Sequence, residues 1–194
     1  MTIFKVGYLV GSLSSTSINR LLAKALVRLA PPELELVEIP FKELPFYTPD
    51  YDKAFPPSAV RFKEAVSAAD AILFVTPEYN RSIPGSLKNA IDWASRPYGT
   101  NAFRRKPCAV IGASPGKIGT AIAQQHLRSI LGYCGSPQLA MEAYVQFQPG
   151  LIADDGAVTD EKTTEFLRKY MREFHGFIDR VYSVVPRPAG GTAG

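Results

Sequence analysis

The chain has too few cysteines for a disulfide framework and too few consecutive apolar residues for a membrane helix. Of its 194 residues, only Cys108 and Cys134 are cysteines, which excludes a set of disulfides and a four-cysteine zinc site. No apolar run approaches the ~20 residues that a membrane-spanning helix needs, so no membrane insertion is expected. The first residues lead directly into a strand-like segment without a signal-peptide pattern. We therefore expect a reduced, cytoplasmic protein.

The chain also lacks a concentrated charge of either sign. It carries 22 Lys and Arg against 18 Asp and Glu, a formal net charge of +4. Its one tight basic cluster, Arg-Arg-Lys at residues 104–106, is far shorter than a nucleic-acid-binding tract, so no nucleic-acid partner is expected. A surface charge that serves solubility and an anionic small-molecule ligand explain the balance about equally well.

Metal-binding and nucleophilic residues are equally sparse. Neither His126 nor His175 has a second ligand at metal spacing, so no metal site is expected. Residues 112–116 have the letters of a hydrolase nucleophile elbow around Ser114, and acids and His175 follow in triad order. The oxyanion hole of such an enzyme needs the N–H of the next residue, and Pro115 has none. A serine hydrolase is therefore disfavoured, and no catalytic side chain is assigned.

Short apolar runs alternate with longer segments of helical periodicity, which is typical of a parallel α/β sheet. The pattern predicts strands at residues 6–10, 34–39, 71–75, 108–111 and 139–145, and a closing helix over 166–181. The first, third and fourth strands are apolar throughout and so are central, whereas the second and fifth contain glutamate and are edges. The predicted fold is thus a flavodoxin-like three-layer α/β sandwich whose five-stranded parallel sheet has the order 2-1-3-4-5. It forms one domain (residues 1–183), followed by a disordered Pro/Gly-rich tail (184–194).

Ligands of such a sheet bind beyond the carboxyl ends of the strands, where the strand order reverses. Three loops lie there, and the first (residues 11–19) enters a helix with five hydroxyls, one amide and no charge. Free N–H groups at a helix N-terminus together with hydroxyls suit a phosphate monoester. The loop lacks the G-x-G-x-x-G pattern of a dinucleotide site. The alternative is simple N-capping by Thr16 or Ser17, but Arg20 stands where a capping box needs Glu or Gln, so a capping box does not explain the whole run.

The other two loops suit a planar ligand. The second loop (residues 76–85) leaves the central strand, where its backbone N–H groups can face a ring edge and Tyr79 adds a flat wall. Pro and Asn alone would indicate only a turn. The third loop (residues 112–119) misses the spacing of a phosphate-binding P-loop. Its small residues instead allow a flat ligand to approach closely.

Taken together, these segments resemble the NADPH-dependent FMN reductase family. The similarity rests on Gly-Ser-Leu and Ser-Ile-Asn in the first loop, Thr-Pro-Glu-Tyr-Asn in the second, and Leu-Lys-Asn-Ala-Ile-Asp-Trp at residues 87–93. It extends to the third loop and to Gln-His-Leu-Arg at 125–128. The resemblance implies noncovalent FMN, with its phosphate held by Ser12, Ser14, Ser17, Ile18 and Asn19. It places the isoalloxazine ring against Pro77, Glu78, Tyr79 and Asn80 on one side and Ser114 and Gly116 on the other.

The resemblance also implies an activity. A member of this family takes a hydride from NADPH or NADH and reduces quinones, flavins, chromate, azo or nitro compounds by a ping-pong mechanism. The alternative is an FMN-binding electron-transfer protein without its own NAD(P)H turnover, against which the basic composition counts. Many relatives carry Arg where this chain has Ser14, so its phosphate pocket is expected to be less positive.

Two further expectations concern the surroundings of the site. Arg81, Lys117 and the cluster at 104–106 are candidate partners for the 2′-phosphate of NADPH. The resemblance implies a homodimer or homotetramer that uses the helical region at 89–96, although Trp93 there is explained equally well as a core residue. The aromatic-rich residues 41–57 form either a lid or dimer contact near the flavin, or a loop on the sheet edge.

Overall fold

Five strands pair into one parallel sheet. The computed structural model describes residues 2–187, and its strand order β2-β1-β3-β4-β5 confirms the predicted topology. The strands are β1 (Phe4–Val10), β2 (Leu34–Glu38), β3 (Ala71–Val75), β4 (Cys108–Ser114) and β5 (Tyr144–Gln146). Every residue of β3 is buried, as expected for a strand covered on both faces.

Helices cover both faces of this sheet. The α-helices are α1 (Ile18–Leu29), α2 (Pro57–Ala68), α3 (Gly85–Ser95), α4 (Ala121–Tyr133) and α5 (Glu161–Val184). α1 and α5 bury one apolar stripe against one face, and α2, α3 and α4 cover the other. Among residues 2–187, no helix is both long and apolar enough to cross a membrane.

One helix was missed. No element was predicted for residues 57–68, and the Pro-rich loop was expected to run to residue 57. Pro57 instead occupies the first turn of α2, where a missing N–H costs nothing. Ala59, Phe62 and Val66 then form its buried stripe.

The last strand is shorter than predicted. It covers Tyr144–Gln146 rather than residues 139–145. The guanidinium of Arg128 on α4 donates hydrogen bonds to the carbonyls of Leu139 and Met141, at 2.7 and 3.3 Å. A side chain thus takes the place of a neighbouring strand for those carbonyls. Before them, Gln138 forms an isolated parallel bridge with Cys108 of β4, and the continuous ladder with β4 begins only at Tyr144.

The closing helix is longer than predicted. α5 runs from Glu161 to Val184, and beyond it the guanidinium of Arg187 pairs with the carboxylate of Asp70. The expected tail (184–194) therefore does not begin at residue 184. Residues 188–194 lie outside the described residues.

The aromatic-rich segment at 41–57 packs on α3. The rings of Tyr47, Tyr51 and Phe55 lie 4.9–5.3 Å from Trp93, whose indole N–H donates to the carbonyl of Pro45 at 2.7 Å. Trp93 has no exposed surface. Within the chain it is a core residue, and the segment serves to cover it.

Candidate functional site

The three loops meet at the carboxyl edge of the sheet, as the topology predicts. The N–H of Gly11 donates to Val75 at 2.8 Å, and that of Thr76 donates to Ile111 at 2.9 Å. Gly112 lies so close to the second loop that a Cβ there would fall 2.1 Å from the carbonyl oxygen of Thr76. Residues of all three loops are thus brought together.

The first loop presents free donors at the start of α1. Ser17 is the N-cap, and its hydroxyl accepts from the N–H of Arg20 at 3.3 Å; the alternative cap Thr16 is not used. The N–H groups of Ile18 and Asn19 have no acceptor among the described residues. The exposed Ser14 hydroxyl lies 3.3 Å from that of Thr16. Free N–H groups, hydroxyls and a helix N-terminus fit a phosphate monoester.

Asn19 departs from its predicted role. Its amide donates to the carbonyl of Ala113 and accepts from the N–H of Ala113, both at 2.9 Å. The side chain is 1% exposed and both of its polar atoms are engaged. Only the backbone N–H of Asn19 is therefore available to a phosphate.

The second loop contains a tight two-residue turn. Tyr79 and Ser82 exchange backbone hydrogen bonds of 2.9 and 3.0 Å, and Asn80 and Arg81 between them have φ values of 49° and 64°. This is the type I′ geometry of a hairpin turn. The N–H of Tyr79 is consumed within the turn, whereas those of Glu78 and Asn80 have no acceptor among the described residues. The half-exposed Tyr79 ring remains available as a flat wall.

The side chain of Glu78 faces a helix rather than a ring site. Its Oε2 accepts from the N–H groups of Ile122 and Ala123, each at 3.1 Å. Thr120, the N-cap residue of α4, makes no capping bond with its own side chain. Glu78 thus caps α4 from the second loop, where its negative charge faces the positive end of the helix. This role was not predicted, and the only sequence signal for it is the lack of an acid in the first turn of α4.

The third loop is small and open. The hydroxyl of Ser114 accepts from the N–H of Gly116 at 3.1 Å, and a Cβ added at Gly116 would have only that hydroxyl oxygen within 4 Å, at 3.5 Å. The hydrolase alternative has no geometric support, because the ring of His175 packs on Phe4, at 5.9 Å between centroids. Phe4 begins β1, so His175 and Ser114 lie at opposite ends of the sheet.

The basic cluster at 104–106 lies away from the site, which corrects one candidate. It precedes β4, at the amino edge of the sheet. Lys106 is 2% exposed, and its ammonium donates to the carbonyls of Ser67 and Ala69. Burial lowers the pKa of Lys106 to about 8. Of the predicted 2′-phosphate partners in one chain, only Arg81 and Lys117 lie beside the three loops.

A further cavity, the remaining acidic residues and a cysteine do not add to the site formed by these loops. A cavity of about 390 Å³ between α2 and residues 39–44 contains none of the predicted site residues. Within residues 2–187, no three His, Cys, Asp or Glu side chains cluster at metal-binding distance. Cys108 is fully buried, and burial raises the pKa of its thiol to about 12.

Comparison with known proteins decides the family. The family described as NADPH-dependent FMN reductase matches residues 4–150. The chain belongs to this family. A 2-hydroxy-1,4-benzoquinone reductase of a Burkholderia species is 43% identical over 175 residues, 90% of this chain and 96% of that protein. A quinone reductase of Pseudomonas putida is 43% identical over 178 residues, 91% and 95% of the two chains.

A solved structure agrees with this assignment to the FMN reductase family. The flavoenzyme NAD(P)H:(acceptor) oxidoreductase FerB from Paracoccus denitrificans superposes with a TM-score of 0.88 at 45% identity, over 92% of this chain and 98% of that one. As a member of the NADPH-dependent FMN reductase family, the chain is an FMN-dependent oxidoreductase with NAD(P)H as electron donor.

Proposed function

We propose that this chain catalyses the two-electron reduction of a quinone by NAD(P)H, with noncovalent FMN held by the three loops at the carboxyl edge of the sheet. The observation that carries the proposal is the donor set at the start of α1, which faces the point where the strand order reverses. The similarity to proteins named quinone reductases favours quinones as the acceptor class.

The first loop would hold the phosphate end of FMN. The backbone N–H groups of Ile18 and Asn19 and the hydroxyls of Ser12 and Ser14 are the donors. Ser17 contributes indirectly, since its hydroxyl caps the helix that presents these N–H groups. No cation stands in this loop, so the helix dipole and neutral hydrogen bonds must compensate the phosphate charge.

The second and third loops would hold the isoalloxazine ring. Pro77, Tyr79, Asn80 and the backbone of Glu78 form one side, and Ser114 and Gly116 form the other. When bound, FMN would supply the redox chemistry, which is hydride acceptance from NAD(P)H and two-electron reduction of the acceptor. The chain needs no nucleophile for this reaction. Its residues bind and orient the reactants, and solvent supplies the second proton of the hydroquinone.

The order of events proposed here is the one that the family resemblance implies. Donor and acceptor would occupy the same face in turn, which is a ping-pong cycle. Flavins, chromate, and azo or nitro compounds remain alternative acceptors of the same chemistry.

We further propose a cytoplasmic homodimer or homotetramer whose protomer is a single domain. Tyr98 follows α3 in the sequence, and Phe46 follows Pro45, whose carbonyl accepts from Trp93 of α3. Their side chains are 91% and 86% exposed, and large exposed aromatics support an interface there. Size-exclusion chromatography with light scattering measures the mass of the oligomer. Replacing both aromatics by serine should shift the mass to that of a smaller species.

Spectroscopy followed by anaerobic reduction tests the function. The purified protein, saturated with FMN, should show a bound-flavin spectrum that NADPH or NADH bleaches without oxygen. Addition of 1,4-benzoquinone should restore the oxidised spectrum with one quinone consumed per flavin. A protein that binds no FMN would contradict the proposal, and a yellow protein that neither nucleotide bleaches would be an electron carrier instead.

A further inference from the structure

Glu78 and Arg81 form an ion pair at the tip of the second loop. Nη1 of Arg81 lies 3.0 Å from Oε1 of Glu78, and their side chains are 66% and 9% exposed. The carboxylate is therefore enclosed by protein, while the guanidinium faces solvent. The pair holds a cation at a defined place on the rim of the site.

The turn that carries Arg81 is fixed to α4 at two points. Oε2 of Glu78 accepts from the N–H groups of Ile122 and Ala123. On the other side of the turn, the hydroxyl of Ser82 lies 3.1 Å from Nδ1 of His126 on α4. Because both flanks of the turn are attached to one helix, the backbone of Arg81 has little freedom to move away.

The guanidinium keeps most of its donors. An arginine carries five N–H donors in a rigid fork that matches a phosphate group. In Arg81, one terminal nitrogen bonds to Glu78, and within residues 2–187 the other two nitrogens have no acceptor. The carboxylate orients the fork without occupying it, which leaves an edge for bidentate contact with a phosphate.

Neighbouring cations are less suited to that contact. Arg20 donates to both carboxylate oxygens of Glu38, and Lys88 on α3 donates to both of Asp92. Lys117 in the third loop has no acid within 4 Å in the described part of the chain. A flexible lysine lacks a partner that would orient it, so Lys117 is the weaker candidate.

We propose that Arg81 is a specificity-determining residue for the electron donor, and that Glu78 is the residue that positions it. Arg81 binds the 2′-phosphate that distinguishes NADPH from NADH, so the enzyme prefers NADPH. This inference deepens the proposed function, since it rests on the donor binding beside the second loop.

Steady-state kinetics of the FMN-saturated enzyme test it, with one quinone as the common acceptor. Arg81→Gln should lower the ratio of kcat/KM for NADPH to that for NADH by about 10–100-fold, mainly through the KM for NADPH, which is the range for a charge-assisted hydrogen bond. Glu78→Gln keeps an oxygen for the N–H groups of α4 but removes the charge that orients Arg81. It should give a smaller fall in the same ratio.

Controls separate this effect from a general loss of charge. Arg28→Gln breaks a comparable exposed ion pair, that with Asp155, far from the second loop in the sequence and should leave the ratio unchanged. Lys117→Gln tests the competing cation. An unchanged ratio in Arg81→Gln would overturn the proposal, as would a ratio that collapses only in Lys117→Gln.

Calorimetry with adenosine 2′,5′-bisphosphate and adenosine 5′-monophosphate provides a readout without turnover. The wild-type protein should bind the bisphosphate at least tenfold more tightly, and Arg81→Gln should remove that advantage. Equal affinities of the wild-type protein for both nucleotides would refute the role of Arg81. If neither donor reduces the flavin, the proposed function fails, whereas the binding experiment still decides about Arg81.

Discussion

Asn19 and Ala113 are joined by two hydrogen bonds although 94 residues separate them in the sequence. Along β4, every second residue faces β3 and bonds to its backbone. The carbonyl of Pro107, just before β4, accepts from the N–H of Ile72. Further along, the carbonyl of Ile111 accepts from the N–H of Thr76, just after β3. Ala113 is the next residue in this alternation, but β3 has ended. The amide of Asn19 supplies the donor and the acceptor that a longer β3 would have provided, and so attaches the first turn of α1 to β4.

Asn19→Ala should lower the free energy of unfolding by about 2–4 kcal/mol, because it leaves a buried N–H and a buried carbonyl of Ala113 without partners. Urea denaturation measures the loss. Gln125→Ala, which removes an exposed amide bonded to Glu142, should stay within about 0.5 kcal/mol of the wild-type protein. A similarly small effect for Asn19→Ala would show that these bonds do not support the fold.

A second prediction concerns the end of α5. The guanidinium of Arg187 donates through Nε to Oδ1 of Asp70 at 2.6 Å and through Nη2 to Oδ2, and Asp70 is 8% exposed. A chain that ends at residue 184 should therefore be about 1–3 kcal/mol less stable than one that ends at 187, since an enclosed carboxylate loses its cation. Thermal and urea unfolding of the two truncated chains isolates residues 185–187. Equal stabilities would mean that the ion pair contributes nothing.

The fold was accessible from the sequence because burial leaves a direct pattern. Apolar runs marked the central strands, and glutamates marked β2. The errors arose where the pattern of apolar residues was not decisive. α2 begins at Pro57, where a loop was expected to end, and Arg128 bonds to backbone carbonyls of residues that were predicted to lie in the last strand. The pattern of apolar residues contains no information on such side-chain partners.

The same limit applies to the site. The three loops were predicted from the topology, and the structure brings them together. The side chain of Asn19, however, bonds to Ala113, which lies 94 positions away in the sequence. That of Glu78 bonds to the start of α4, 44–45 positions away. Hydrogen bonds over such separations depend on the folded geometry, so residue type and loop position alone indicated ligand contacts instead.

A third prediction concerns pH. The pKa of the buried Lys106 is lowered to about 8 from the ordinary value of 10.5, so between these values the unfolded chain binds more protons than the folded one. Raising the pH through this window therefore favours folding, by at most about 1.4 kcal/mol per pH unit. The cost of burying the charged lysine is fully present below pH 8. It disappears as the pH approaches 10.5, the pKa of a lysine in the unfolded chain.

Lys106→Met tests this dependence. The unfolding free energy of the wild-type protein minus that of the variant should rise by about 2 kcal/mol from pH 8 to pH 10. The thiol of Cys108, whose pKa is raised to about 12 by burial, opposes the trend. It is present in both proteins, so its contribution largely cancels in the difference. A difference that stays constant with pH would mean that Lys106 titrates normally in the folded protein.

The last prediction compares two glycines of the third loop. At Gly112, a Cβ would lie 2.1 Å from the carbonyl oxygen of Thr76 and 2.2 Å from the hydroxyl oxygen of Thr120. Gly112→Ala should therefore destabilise the protein by about 3 kcal/mol or more, because the backbone of the second loop has to move. At Gly116, the nearest atom is the hydroxyl oxygen of Ser114 at 3.5 Å, so Gly116→Ala should fold with unchanged stability.

The two variants thus separate close approach within the chain from close approach to a ligand. If the flavin ring lies against Gly116 as proposed, the added methyl group should weaken FMN binding by about tenfold while urea unfolding of the FMN-free protein stays as in the wild type. Fluorescence titration with FMN measures the affinity. Unchanged FMN affinity in Gly116→Ala would mean that the ring does not approach the backbone of Gly116 closely, which would remove Gly116 from the site.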